Sequence, residues 1–155
     1  MKKIFLILGF STLLFFISCN QKTKINNNNS NLKQKKEKLA TTGDSAFAAG
    51  DYSLALHCFS KLIYEFDWQN DSNKYFSHVL SIACVYDVIK EPEKARLMLQ
   101  KSIDGFIRLK DTLQIGTAFS TASTIYGNQQ NVSKATEMAL EGMKYIKTQK
   151  DSLII

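Results

Sequence analysis

The hydrophobic and polar positions of the chain fall into three regimes. From Ile4 to Ile17 every residue is apolar apart from Gly9, Ser11 and Thr12. That run is shorter than the about 20 residues a spanning helix needs, and it has the length of an export-signal core. Residues 20–31 include Asn26-Asn27-Asn28-Asn29-Ser30-Asn31 and one aliphatic side chain, Ile25. So little apolar surface cannot offset the entropy of ordering, which predicts a flexible tether over 19–31. From residue 32 onward the pattern becomes helical, and it repeats.

The repeat has a period of 40. Asp71-Ser72, Asp111-Thr112 and Asp151-Ser152 recur at that spacing, as do Ala55/Ala95/Ala135, Phe66/Phe106/Ile146 and Ile63/Ile103/Met143. Cys58/Met98/Met138, Tyr86/Tyr126 and the small residues Gly43/Ala83/Ser123 keep the same register. Within a unit, Ala95, Met98, Leu99, Ser102, Ile103 and Phe106 form one continuous helical stripe. Pro92 sits just inside a helix start, where its missing N–H costs nothing. The recurring Asp-Ser/Thr pairs offer side-chain oxygens as caps. Breaks fall at Gly50-Asp51, Lys90-Glu91 and Gln130-Asn131. The spacing predicts helices over 32–49, 53–67, 72–89, 92–109, 112–128 and 132–148, an all-α body of three antiparallel helix pairs.

Gly50-Asp51-Tyr52-Ser53-Leu54-Ala55 followed by Phe59 resembles the middle of a tetratricopeptide repeat. Gly43 and Ala55, then Ala83, Tyr86, Ala95 and Leu99, then Ser123, Tyr126 and Ala135, reproduce that family's spacing in successive units. The period exceeds the usual 34. The extra residues lengthen Phe66–Asp71 and Phe106–Asp111, which resembles the longer repeats of bacterial sensory and regulatory proteins. The third unit is degenerate at Ala139 and Gly142. The resemblance covers 32–155 and implies a right-handed α-solenoid whose first helices line a concave groove for a protein or peptide partner. By that analogy the groove comprises Ala40, Asp44, Phe47 and Ala48, then Leu80, Cys84, Asp87 and Val88, then Ser120, Thr124, Gly127 and Asn128. Members of the family that clamp a carboxylate place Lys and Asn together there, and that cluster is missing. Asp44 and Asp87 are expected as solvated carboxylates.

Lys2-Lys3, the apolar run and Phe16-Ile17-Ser18-Cys19 together resemble a bacterial lipoprotein signal, with Phe16 where Leu is usual. The resemblance implies a signal peptide over 1–18, cleavage before Cys19 and attachment of palmitate-bearing lipid to its thiol. Several acyl chains on one residue hold a protein on a membrane stably. The protein is then expected in the cell envelope, lipid-anchored, facing the periplasm or the outer surface.

Charge removes one class of function. Of the chain's 20 basic and 14 acidic residues, 12 and 13 fall in residues 39–155. The excess cations lie in the targeting segment and around Lys22, Lys24 and Lys33–Lys38. The body has no basic stripe to neutralise phosphates, so no nucleic acid is expected as partner.

Candidate chemistry is sparse. His57, Cys58, His78 and Cys84 are the body's soft ligands, and they show neither a CxxC pattern nor His at i, i+4. No metal site is expected. Cys58 aligns with Met98 and Met138, so it reads as a packing position, and two buried free thiols are expected over a Cys58–Cys84 disulfide. Trp68 is expected over a helix end. Neither a nucleophile–base arrangement nor a glycine-rich phosphate loop stands out, so no enzyme and no cofactor is expected. The reading is a membrane-tethered interaction module or scaffold. Its alternative is the N-terminal sensor portion of a longer signalling protein, such as a histidine kinase or a transcription regulator. Asp151-Ser152-Leu153-Ile154-Ile155 begins the helix pattern once more. Ala139, Met143 and Ile146 are therefore expected to be bare, with self-association through that end.

Overall fold

The computed structural model describes residues 30–66 and 71–152, with side chains as far as Ile146. Among the described residues there are six helices and no strand. These are α1 over 30–49, α2 Tyr52–Glu65, α3 Ser72–Val88, α4 Pro92–Leu109, α5 Thr112–Asn128 and α6 Val132–Ser152. The chain divides into two units between Lys38 and Leu39. In the first, residues 30–38 are helical and mostly exposed, with Lys33 and Glu37 one turn apart at 4.0 Å. The second, from Leu39 on, is an all-α helical-repeat solenoid.

The turns explain why the helices stop where they do. Gly50, Lys90 and Gln130, spaced by 40, all have positive φ, at 81°, 64° and 60°. At each, the next residue's N–H reaches back five positions: Asp51 to the Ala46 carbonyl, Glu91 to Tyr86 and Asn131 to Tyr126, each at 2.9 Å. The left-handed residue itself donates three positions back, to Phe47, Asp87 and Gly127. This pair of bonds satisfies carbonyls that a helix end would otherwise orphan. Only Gly50 takes the left-handed backbone without a Cβ penalty. Lys110 closes α4 in the same way, at φ 57°. The following helices are capped by side chains where Asp51, Asp111 and Asn131 accept from Leu54, Gln114 and Lys134 at 3.0–3.1 Å. Asp71, which the sequence pattern also marks as a cap, makes no side-chain cap bond to α3.

Three boundaries differ from the sequence expectation by two residues or more. Helix is already present at residue 30, the first described residue, inside the stretch predicted as tether, and α2 stops at Glu65. α6 runs on through Asp151-Ser152, where the repeat pattern predicts the start of a further helix. Lys147-Thr148-Gln149-Lys150 holds no residue that obliges a helix to end, and Lys150, counterpart of the left-handed Lys110, stays helical.

Two cores share α3. One gathers Ala46, Ala55, Phe59, Leu62 and Phe66 with Ile82 and Val85. The other gathers Phe76, Leu80 and Ala83 with Leu99, Ile103, Phe106, Ala118, Ala122, Ile125 and Met138. Tyr75, Tyr86 and Met98 pack against both. Small residues permit this stacking. A Cβ at Gly43 would stand 2.7 Å from the Phe59 ring, and Ala55, Ala83 and Ala95 are fully buried.

Candidate functional site

The positions proposed for the groove are register mates, so they fall into four rows across α1, α3 and α5. Ala48, Val88 and Asn128 are exposed in all three units. In the other rows the middle unit is sunk. Ala40 is half-buried and Ser120 exposed, whereas Leu80 between them belongs to the core. Asp44 and Thr124 are exposed and Cys84 is half-buried. Phe47 is half-buried, edge-to-face with Tyr52 at 5.8 Å, and Gly127 is exposed.

Asp87 overturns its expected role, for it is 7 % exposed and not a solvated carboxylate. Its Oδ2 accepts from Asn128 Nδ2 at 2.8 Å and its Oδ1 from Gln129 Nε2 at 3.4 Å. Gln129 Oε1 in turn accepts from Arg96 Nη1 at 3.3 Å, and Arg96 pairs with Glu93. A buried carboxylate needs such donors, because stripping its water without replacement costs several kcal/mol. The network locks the end of α3 to the end of α5. Near the start of α3, Asn73 Nδ2 donates to Asp111 Oδ2 at 3.1 Å. Sequence reading missed Asn73, Arg96 and Gln129, since their register mates Leu113, Thr136 and Ile89 share no chemistry with them.

With Asp87 buried, Asp44 is the exposed carboxylate among the proposed positions, and the α5 side is uncharged. Thr117, Thr121 and Thr124 donate their hydroxyls to carbonyls one turn back, at 3.0, 3.0 and 3.3 Å. Their protons are thus committed and their lone pairs remain as acceptors. The face offers small apolar side chains, hydroxyl acceptors and an amide, a surface suited to peptide groups.

The reactive side chains sit in unreactive settings. Cys58 is buried, Cys84 is half-buried, and both are free thiols. Burial pushes both thiols up from their ordinary value, reinforced at Cys84 by the charge of Asp87, so neither is a ready nucleophile. His78 stacks on Phe59 and Phe66, with ring centroids 6.0 and 5.5 Å away. Burial pulls its imidazole below the usual 6.5, Asp44 opposes that shift and Lys74 adds to it. His57 is exposed. Among the described residues no group of three or more His, Cys, Asp or Glu side chains converges to hold a metal, and no helix is long and apolar enough to cross a membrane. Cys19 and Trp68 lie outside the described residues. No protein-family model matches the sequence, and no curated protein is similar to it.

Proposed function

We propose that the protein is a lipid-anchored interaction module of the cell envelope, a tetratricopeptide-like array and not an enzyme. It binds a segment of a protein partner across the α1–α3–α5 face and is held to the membrane through Cys19. The observation that carries this reading is the set of three equivalent turns, at Gly50, Lys90 and Gln130, which stack like helices side by side with Ala48, Val88 and Asn128 exposed in each unit. A repeated face suits an extended ligand, because each unit adds the same small contact. Thiols held in their protonated form and polar side chains spent on locking helices supply no reacting group.

Full-length protein extracted in mild detergent tests both halves. Labelled palmitate is expected on the wild type and lost in Cys19→Ser; equal labelling overturns the anchor. Captured partner is expected to fall at least tenfold in Val88→Asp and in Thr124→Arg, both surface positions, and to persist in Tyr64→Ser on α2. Capture unchanged in both face variants overturns the assignment of this face.

A further inference from the structure

Away from that face, two grooves occupy equivalent places in the repeat. The larger, about 590 Å³, runs along α4 beside Leu97, Gln100, Lys101 and Asp104, with the rings of Tyr75 and Phe76 from α3 as its wall. The smaller, about 410 Å³, is only the crevice between projecting side chains of α6 itself, Glu137, Leu140, Glu141 and Lys144, the residues 40 positions on, with Met143.

Their charges are opposite. Lys101 on α4 becomes Glu141 on α6, and Asp104 becomes Lys144. The α4 groove holds Lys101 and Arg108 against Asp104, whereas the α6 surface holds Glu137 and Glu141 against Lys144. Their shapes differ as well. At Gly105 the α4 backbone has no side chain, and the Phe76 ring crowds the place a Cβ would take. The groove thereby gains an aromatic wall. On α6, Leu140 and Met143 project, 52 % and 56 % exposed. One surface receives and the other protrudes.

We propose that the α6 surface of one copy of this chain docks in the α4 groove of a second copy. Leu140 and Met143 enter between Tyr75 and the exposed Leu97, and Glu141 faces Lys101. Lys101 already lies over the Tyr75 ring, its Nζ 5.3 Å from the centroid, at the edge of the space Leu140 fills. Glu137 and Glu141 pair within their own helix with Lys134 and Lys144. Such exposed pairs contribute little and exchange readily for a partner's cation. Groove and protrusion are different surfaces, so the contact is heterologous: a pair keeps one free groove on one copy and one free protrusion on the other, through which further copies add as a ring or an open chain. The inference goes beyond the partner-binding reading and does not rest on it, since it uses the other helices of each pair.

The test uses two differently tagged full-length copies, co-produced and extracted in mild detergent. One tag is expected to recover the other in the wild type. Recovery is expected to drop at least tenfold when both copies carry Lys101→Glu, and likewise when both carry Glu141→Lys. A Lys101→Glu copy mixed with a Glu141→Lys copy is expected to pair again, because an intact groove then meets an intact protrusion. Leu140→Ser in both copies removes the knob without changing charge and is expected to lose recovery equally. Every sample carries the same N-terminal residues, so shared micelles raise all of them alike, and unchanged circular-dichroism melting curves certify the fold. Wild-type copies that do not recover one another overturn the proposal. So do variants that self-associate like the wild type, or a mixed pair that stays apart.

Discussion

In α4, Ala95, Leu99, Ser102, Ile103 and Phe106 are each 5 % exposed or less. In α6 the same register positions are Ala135, Ala139, Gly142, Met143 and Ile146. The two alanines are half-buried, Gly142 is buried, and Met143 and Ile146 are 56 % and 51 % exposed. The stripes are alike in sequence and unlike in surroundings. α4 packs against α3 on one side and α5 on the other, whereas α6 packs against α5. A hydrophobic stripe therefore declares which side of a helix is available for burial, and the neighbouring elements decide whether it is used.

The pairs also solve close approach in opposite ways. In the middle unit the large residue is on the first helix: Phe76 of α3 lies on Gly105 of α4. In the third unit their counterparts are Gly116 and Tyr145, so the small residue has moved to α5 and the ring to α6. Tyr145 stacks on Phe119 with centroids 5.8 Å apart. Ser102 of α4 donates to the Phe76 carbonyl at 3.1 Å, and its counterpart Gly142 rests against the counterpart carbonyl of Gly116, with 3.3 Å from a built Cβ to that oxygen. Gly142 is thus a contact residue, and the sequence-based description of it as degeneration is corrected by the Gly116 and Phe119 atoms beside it.

The largest expected effect tests the burial contrast directly. Phe106→Ala empties a fully buried site and is expected to cost about 3–5 kcal/mol. Ile146→Ala, at the same register position, is expected to cost about 1 kcal/mol or less, since half of the side chain already meets water. Equal losses in denaturant unfolding would show that both stripes are covered in solution, and the contrast would be void.

Next comes the close approach in the third unit. In an unencumbered helix Gly→Ala gains about 1 kcal/mol. Gly127 has nothing within 4 Å of a built Cβ, so Gly127→Ala is expected to realise most of that gain. At Gly142 the new methyl meets Phe119 Cβ at 3.1 Å and the Gly116 carbonyl, neither of which yields easily. Gly142→Ala is expected to lower stability, by about 1 kcal/mol net of the propensity gain. A rise in melting temperature for both variants would return Gly142 to the status of a tolerated defect.

Much of this fold was legible in the sequence, for identifiable reasons. The period of 40 fixed the register, and it placed the turns at Gly50, Lys90 and Gln130, because strict spacing carries over even where the residue type does not. It could not rank burial. Leu80 and Asp87 read as groove residues by the family resemblance, like their mates Ala40 and Phe47, yet α3 is flanked by neighbours on both sides and both residues sink. Nor could it find the Asp87–Gln129–Arg96 network, whose members come from α3, α4 and the turn after α5 and recur in no other unit. Interactions made once leave no periodic trace.

The α2–α3 contact brings a pH dependence of its own. His78 is stacked on Phe59 and Phe66, and burial holds its folded pKa below 6.5. Above that pH both folded and unfolded chains carry a neutral ring, and His78 contributes no slope. Below it the unfolded chain takes up a proton that the folded chain resists, so stability falls as pH drops from about 6.5 toward the folded value. Urea midpoints between pH 7 and 5.5 are expected to decline in the wild type and to decline less in His78→Phe, which keeps a ring in the stack. Identical slopes would mean that the imidazole is solvated and that α2 is less firmly covered than α4.

The smallest effect is expected at the turns, where it asks whether the units are equivalent at all. Gly50, Lys90 and Gln130 share the left-handed backbone and the same two bonds to the helix before them. Lys90 and Gln130 therefore carry a Cβ strain that Gly50 avoids, and each is exposed, so no packing is lost on trimming the side chain. Lys90→Gly and Gln130→Gly are each expected to raise stability, by up to about 1 kcal/mol, less whatever entropy the freer glycine restores to the unfolded chain. Gly50→Ala is expected to lower it by a similar amount. These signs separate the turn from the stripe beside it. If Lys90→Gly stabilises while Gln130→Gly does not, the turn joining α5 to α6 is looser than the one joining α3 to α4. The difference between the two units then begins in their backbones, before any side chain of α6 meets water.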